Sequence, residues 1–155
     1  MQESEHTTTD AEAAETLDID GMIALHAGEM RGEAFYNAFA DTIDNEEAAE
    51  LLRRNGREEA GHARRLARAL EIKMGEPFVP PVVTDDAEPM TLPEPTPEFF
   101  AMVADGERKG DTMYATYAEN EPDSEVARLY RLNGREETLH AGRIEAVAAL
   151  LNPTA

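Results

Sequence analysis

The chain has 155 residues, enough for one domain with a sizeable core. Its 33 acidic and 14 basic residues leave a formal net charge of −19, which opposes binding to nucleic acid and to anionic membranes. It has no cysteine, which excludes disulfides, thiol catalysis and iron–sulfur sites on this chain. No apolar run is long enough for a membrane span, and the first residues do not resemble a signal peptide, so we expect a cytoplasmic protein.

Four helices are predicted along the chain, after an acidic, mobile tail over residues 1–16. The apolar spacing predicts helices over residues 17–43, 46–74, 97–118 and 124–151, with Ser124 as the cap of the last one. Seven prolines lie from Gly75 to Pro97, so the segment 75–96 is an extended crossover. Two short breaks and one long crossover predict an all-α, antiparallel four-helix bundle made of hairpins over about 17–74 and 97–151.

The two hairpins are copies of one sequence. A shift of 78 positions places residues 55–65 on residues 133–143, where N-G-R-E-E-x-x-H-A-x-R is common to both. The same shift also places Glu29 on Glu107 and Tyr36 on Tyr114. Because one offset aligns both helices of each half, the chain is a duplicated helical hairpin.

Polar residues recur on the faces that should point into the bundle. On the second and fourth helices, apolar residues step by three and four, and Glu59, His62, Glu137 and His140 fall on those same faces. A Glu and a His three residues apart point the same way from a helix. Each of these turns therefore presents one carboxylate and one imidazole to the interior.

The first and third helices each add one carboxylate to the interior. Glu29 and Tyr36 lie two turns apart on one face, and Glu107 and Tyr114 repeat the arrangement. Four carboxylates cannot stay charged in a core without compensation, since burying each unpaired one costs several kcal/mol. Two divalent cations would balance the four charges, and oxygen ligands with imidazole favour iron or manganese.

These residues make the chain resemble the ferritin-like di-iron carboxylate superfamily over roughly residues 17–151. The resemblance is closest to rubrerythrins and bacterioferritins, and the E-x-x-H stretches are also similar to those of encapsulated ferritins. It implies a ferritin-like bundle with two iron ions, or manganese in their place. It further implies bridging roles for Glu59 and Glu137, terminal carboxylates at Glu29 and Glu107, and terminal imidazoles at His62 and His140.

Several neighbouring residues have more than one interpretation. Tyr36 and Tyr114 are either core aromatics or hydrogen-bond partners of the ligands, and Asn55 and Asn133 are polar residues of the same kind. Glu58 and Glu136 point about 100° away from the inward face, so we expect them to be solvated. Whether His26, Glu33 or Asp111 joins the site is left open. Gly28, Gly32, Gly106 and Gly110 recur beside the terminal glutamates, which indicates close backbone approach or a local bulge.

The expected function is that of a redox enzyme acting on O2 or H2O2, as a ferroxidase or a peroxidase. Its electron donor is unknown, and the sequence does not fix the oligomeric state, for which a homodimer or a larger homo-oligomer is the expectation. The alternatives are an iron-binding or storage subunit, a di-iron oxygenase acting on an organic substrate, and a metal-free helical interaction protein with protonated carboxylates.

Overall fold

The computed structural model describes residues 15–82 and 90–153, and it has four α-helices and no strand within them. These are α1 (Ile19–Asp41), α2 (Glu46–Met74), α3 (Pro97–Asn120) and α4 (Ser124–Leu151). The predicted all-α fold class is therefore confirmed. Residues 1–14 of the predicted acidic tail and residues 83–89 of the crossover lie outside the described residues. None of these four helices is both long and apolar enough to cross a bilayer.

Side chains just outside the helices fix where they begin. Asp18, Asn45 and Thr96 each accept a hydrogen bond from a backbone amide in the first turn of the helix that follows. The prediction that Ser124 caps α4 is wrong. Asp123 is the cap, because its carboxylate accepts the amides of Glu125 and Val126, each at 3.0 Å, and Ser124 becomes the first helical residue.

The helices pack as two hairpins joined along one side. α1 packs on α2 and α3 packs on α4, and the hairpins meet where α2 packs on α4. Among the described residues, the backbones of α1 and α3 do not approach each other. A groove therefore remains between α1 and α3, on the side of the bundle opposite the α2–α4 contact.

Two apolar clusters fill the ends of the bundle. One contains Phe39, Phe100 and Ile144, and the other contains Met22 and Leu66, among further residues of all four helices. Along α2 and α4, six buried polar residues lie between the clusters: Asn55, Glu59, His62, Asn133, Glu137 and His140. This band is called the polar layer below. The apolar clusters on both sides shield it from water and lower its effective dielectric constant.

Candidate metal centre

The first set of metal-binding atoms surrounds His62. The Nδ1 atom of His62 lies 3.6 Å from Glu29 Oε2, 3.6 Å from Glu59 Oε2 and 3.5 Å from Glu137 Oε1. One ligand atom from each of these four residues lies within 4.8 Å of all the others. All four residues are buried. The spacing is small enough for a single ion to contact one atom of each.

The second set surrounds His140 in the same way. The Nδ1 atom of His140 lies 3.2 Å from Glu59 Oε1, 3.5 Å from Glu107 Oε2 and 3.8 Å from Glu137 Oε2. Ligand atoms of these four residues also lie within 4.8 Å of one another. Glu59 and Glu137 therefore belong to both sets, and each turns one carboxylate oxygen toward either histidine.

The donor atoms of the polar layer fit a metal pair. Nδ1 of His62 and Nδ1 of His140 are buried without a hydrogen-bond partner of acceptable geometry. A buried polar atom left unpaired costs about 1–3 kcal/mol, so a native protein rarely leaves two at one place. Both atoms face carboxylate oxygens rather than another donor, and carboxylates with imidazole suit iron or manganese. The sequence therefore fits the group that its resemblance implies.

Burial and mutual repulsion keep protons on two of the glutamates when no metal is present. Burial raises the pKa of Glu29 to about 7, assisted by the nearby Glu59. Burial likewise raises the pKa of Glu137 to about 9, with Glu107 and Glu59 adding to the effect. Burial would also raise the pKa of Glu59, but His140 and His62 outweigh it and hold that pKa below its ordinary range. Of the two shared glutamates, Glu59 is therefore ionised and Glu137 is protonated at neutral pH.

The two histidines take up protons for the same reason. Burial would lower the pKa of His62, but the facing carboxylates, Glu137 foremost, raise it to about 12. Burial would also lower the pKa of His140, but Glu107 and Glu59 outweigh it and raise that pKa to about 9. In the metal-free protein these protons supply the positive charge that the glutamates need, and a metal ion would have to displace them.

Each terminal glutamate is held by a tyrosine of the other half of the chain. The hydroxyl of Tyr36 donates to Glu107 Oε1, and the hydroxyl of Tyr114 donates to Glu29 Oε1. Burial, followed by the neighbouring carboxylate, raises the pKa of both hydroxyls, so both keep their protons. The structure thus places both tyrosines against predicted ligands, and their exchange across the halves ties the hairpins together.

Glycines let the backbones of α1 and α3 come close to the shared carboxylates, Glu59 of α2 and Glu137 of α4. A Cβ atom at Gly32 would lie 3.1 Å from the carboxyl carbon of Glu59, and one at Gly110 would lie 3.3 Å from that of Glu137. This is the close approach expected from the repeat. Gly28 and Gly106 are not crowded, since a Cβ at Gly28 would meet only the end of the Arg31 side chain and one at Gly106 would meet nothing within 4 Å. All four glycines line the groove.

The expectation that Glu58 and Glu136 are solvated is wrong. Glu58 Oε2 lies 3.1 Å from His140 Nε2 and 2.7 Å from the Arg143 guanidinium, and Glu136 pairs with Arg65. A direction 100° from the inward face points into the α2–α4 contact rather than into water. Burial would raise the pKa of Glu58, but Arg143 outweighs it and lowers that pKa.

Sequence reasoning therefore missed the arginines that close this side of the layer. Arg65 also donates to Asn133 Oδ1 at 3.1 Å, and Arg143 donates to Asn55 Oδ1 at 3.0 Å. A signal existed, because the shift of 78 positions that aligns the glutamates also places Arg65 on Arg143. Charged residues repeated at positions off the apolar face indicate a specific contact.

Three residues whose role the sequence left open do not join either set of ligand atoms. His26 packs edge-on against Phe78 of the crossover, with ring centroids 5.1 Å apart. Asp111 accepts a hydrogen bond from the hydroxyl of Thr138 at 2.5 Å, and Glu33 is in neither set. The candidate centre consists of the same six residues that the sequence pattern singles out.

A comparison with known protein families agrees with the architecture. The family model called Rubrerythrin matches residues 25–96, which comprise most of the first hairpin and the crossover. No curated protein and no solved structure matches the chain. Together with the four-helix architecture, which is consistent with a ferritin-like bundle, the match supports the resemblance of the chain to the ferritin-like superfamily. Its resemblance to rubrerythrins, a family whose members generally bind iron, is thereby confirmed.

Proposed function

We propose that this chain is a di-iron oxidoreductase of the ferroxidase or peroxidase type, which reacts with O2 or H2O2. The observation that supports it is the pair of carboxylate–imidazole sets that share Glu59 and Glu137. In this proposal the two shared glutamates bridge the ions, and the remaining ligands are terminal: Glu29, Glu107, His62 and His140. Manganese in one or both positions would use the same donors.

Charge balance supports two ions rather than one. Four ionised glutamates carry four negative charges, which two divalent cations neutralise when both imidazoles are neutral. In the absence of metal, protons on Glu29, Glu137 and the histidines provide that balance. Binding should therefore release protons as each ion enters.

The groove between α1 and α3 supports a reaction with small molecules. Its volume is 320 Å³, and its walls hold all four glutamates of the candidate centre, four glycines and the apolar side chains of Leu25, Val103 and Met113. An opening with four carboxylates on its wall gives O2, H2O2 or a hydrated cation a path to the candidate centre.

The chain's own residues hold the ligands in place during turnover. A pair of ferrous ions would supply the two electrons that, with two protons, convert H2O2 into two water molecules. Tyr36 and Tyr114 donate to Glu107 and Glu29 and so fix the orientation of these two carboxylates. Asn55 and Asn133 donate to the backbone carbonyls of His140 and His62, which fixes the turns that carry the imidazoles.

Anaerobic titration with Fe(II), followed by O2 or H2O2, tests the proposal. We expect about two ions per chain and a new absorption band on oxidation. Faster turnover of excess Fe(II) with O2 would identify a ferroxidase, and faster consumption of H2O2 with an added electron donor would identify a peroxidase. Binding of far more iron, with a closed assembly visible by light scattering, would instead support a storage subunit. Binding of less than one ion per chain, or no spectral change, contradicts the proposal.

A further inference from the structure

The two histidines differ at the ring nitrogen that faces away from the shared glutamates. Nε2 of His140 lies 3.1 Å from Glu58 Oε2, within hydrogen-bond distance. Nε2 of His62 lies 3.9 Å from Glu136 Oε2 and has no hydrogen-bond partner. Both halves of the repeat therefore contain the glutamate and the histidine, but only His140 is close enough to its glutamate for a hydrogen bond.

The carboxylate that braces His140 is itself held more firmly than its counterpart. Arg143 binds Glu58 through both terminal nitrogens, at 2.7 and 3.1 Å, and its side chain is only 12% exposed. Arg65 reaches Glu136 through one nitrogen, and its side chain is 30% exposed. A two-pronged arginine–carboxylate pair fixes the geometry of the carboxylate better than a single contact does.

A sequence difference between the halves reinforces this contrast. Arg54 Nε lies 3.5 Å from Glu58 Oε1, one helical turn before it. The shift of 78 positions places Leu132 at the equivalent position before Glu136, where no ion pair can form. Glu58 therefore interacts with two arginines, whereas Glu136 interacts with one.

We propose that the two metal positions are unequal, and that the position formed by Glu59, Glu107, Glu137 and His140 binds its ion first and more tightly. The position that includes Glu29 and His62 holds the more exchangeable ion. Glu58, acting with Arg143 and Arg54, is the positioning residue that creates the difference. The inference rests on the proposed function, because it requires two ions in the polar layer.

The physical reason lies in how an imidazole binds a metal. A carboxylate that accepts the proton of one ring nitrogen fixes the tautomer, orients the ring and makes the other nitrogen a better donor. Removing such a partner typically weakens metal binding by about 10–100-fold. His140 has this partner, whereas His62 must be oriented at the moment of binding. We therefore expect the two affinities to differ by about tenfold or more.

The test combines a Mn(II) titration with crystallography of the full chain. Calorimetry should resolve two binding steps separated by about tenfold or more in affinity. In crystals grown with one equivalent of Mn(II), the anomalous peak should be stronger beside His140 than beside His62. Equal steps with equal peaks, or a stronger peak beside His62, overturn the inference while leaving a two-ion centre intact. Saturation below one ion per chain contradicts the proposed function instead.

Matched variants at repeat-related positions assign the difference to its cause. Glu58→Gln should weaken the first step by about 10–100-fold and bring the two steps together, whereas Glu136→Gln should leave the first step nearly unchanged. Equal losses in the two variants would overturn the role of Glu58. Arg54→Leu replaces Arg54 by the residue that stands at the equivalent position of the second half. The Arg54 side chain is 60% exposed, so the variant should keep the fold. Arg54→Leu should lower the affinity of the first binding step, but by less than Glu58→Gln does. An unchanged first affinity would overturn the role assigned to Arg54.

Discussion

The two sides of the polar layer differ in whether side chains close them or a groove opens them. On the α2–α4 side, the pairs Arg143–Glu58 and Arg65–Glu136 cross between the helices and close the layer off. On the α1–α3 side, the backbones stay apart and a groove of 320 Å³ reaches the glutamates. The closed side supports Nε2 of His140 through Glu58, whereas the open side places the four glutamates of the candidate centre on the wall of the groove. In the proposed function, the α2–α4 side would therefore support the histidines, and the α1–α3 side would admit the reactant.

Removing a shared ligand should have the largest effect. Glu59 supplies one oxygen to each set, so Glu59→Ala should abolish stoichiometric binding of both ions. We expect a loss of more than about 100-fold in affinity, because even an outer partner of a ligand contributes 10–100-fold. Elemental analysis after dialysis measures the occupancy, and the rise in melting temperature on adding Fe(II) measures the stabilisation that binding provides.

Glu33→Ala is the control for that experiment. Glu33 lies one turn beyond Glu29 on α1 but belongs to neither set of ligand atoms. Its removal changes the net charge as much as Glu59→Ala does, and it should leave both ions bound. If both variants lose metal equally, the centre does not depend on the shared carboxylate.

The metal-free protein should lose stability as the pH rises from about 6.5 to about 9. The pKa values of Glu29 and Glu137 are raised to about 7 and about 9, so the folded chain keeps protons that the unfolded chain releases above about 4.5. His140, raised to about 9, contributes stability that is complete below about 6.5 and is lost as the pH passes 9. The raised pKa values of Glu29, Glu137 and His140 therefore all lower the free energy of unfolding as the pH rises through this range. Urea denaturation with a chelator present, at several pH values, measures the decline.

A glutamine at one of these positions sharpens the pH experiment. Glu137→Gln has no proton to lose, so its metal-free stability should vary less between pH 6.5 and 9 than that of the parent chain. Glu125→Gln changes a carboxylate that pairs with Arg128 on the surface and should leave the slope unchanged. A parent chain whose stability is flat or rises over this range would contradict the assignment of protons to the layer.

The open side can be blocked without touching a ligand. A Cβ at Gly106 would meet nothing within 4 Å, so Gly106→Leu places a side chain in the groove at little steric cost. We expect both ions to bind and the reaction with H2O2 to slow by about tenfold, which equals about 1.4 kcal/mol on the barrier. Stopped-flow measurement on the Fe(II)-loaded protein gives the rate.

Gly142→Leu provides the matched control for the groove. Gly142 lies on the exposed face of α4 and also has open space beside it, so this variant adds the same side chain away from the groove. It should react at the parental rate. Equal rates for the two variants would show that the oxidant reaches the centre by another path.

The sequence predicts the fold and the inner side of the layer because both depend on local periodicity. Steps of three and four residues place Glu59 with His62 on one face of α2, and the repeat transfers that assignment to α4. The contact between Glu58 and Arg143 depends instead on how closely α2 packs on α4. Two residues 85 positions apart cannot be paired from helical spacing alone, so Glu58 looked like a solvated residue.

The open side was likewise beyond sequence reasoning. Recurring glycines such as Gly32 and Gly106 indicate either close approach or a bulge, and the sequence does not tell which of them lies against a carboxylate. In the structure both line the groove, and only one of them lies against a carboxylate. Gly32 backs the carboxylate of Glu59, whereas Gly106 faces open space. The distance between α1 and α3 decides between these outcomes, and it is a property of the packed bundle.

The smallest effect concerns the hydroxyls that surround the layer. Tyr36 donates to the ionised Glu107 from the opposite half, and hydrogen bonds to charged groups contribute about 1.5–3 kcal/mol. Tyr36→Phe should therefore lower the free energy of unfolding by about 1.5 kcal/mol in urea denaturation. Tyr130→Phe is the matched control, because the buried Tyr130 hydroxyl has no hydrogen-bond partner and its removal should be neutral or slightly stabilising. The two substitutions remove the same atom from similarly buried rings. A difference between them isolates the contact that joins the hairpins on the open side, and equal effects would show that the contact with Glu107 adds nothing beyond packing.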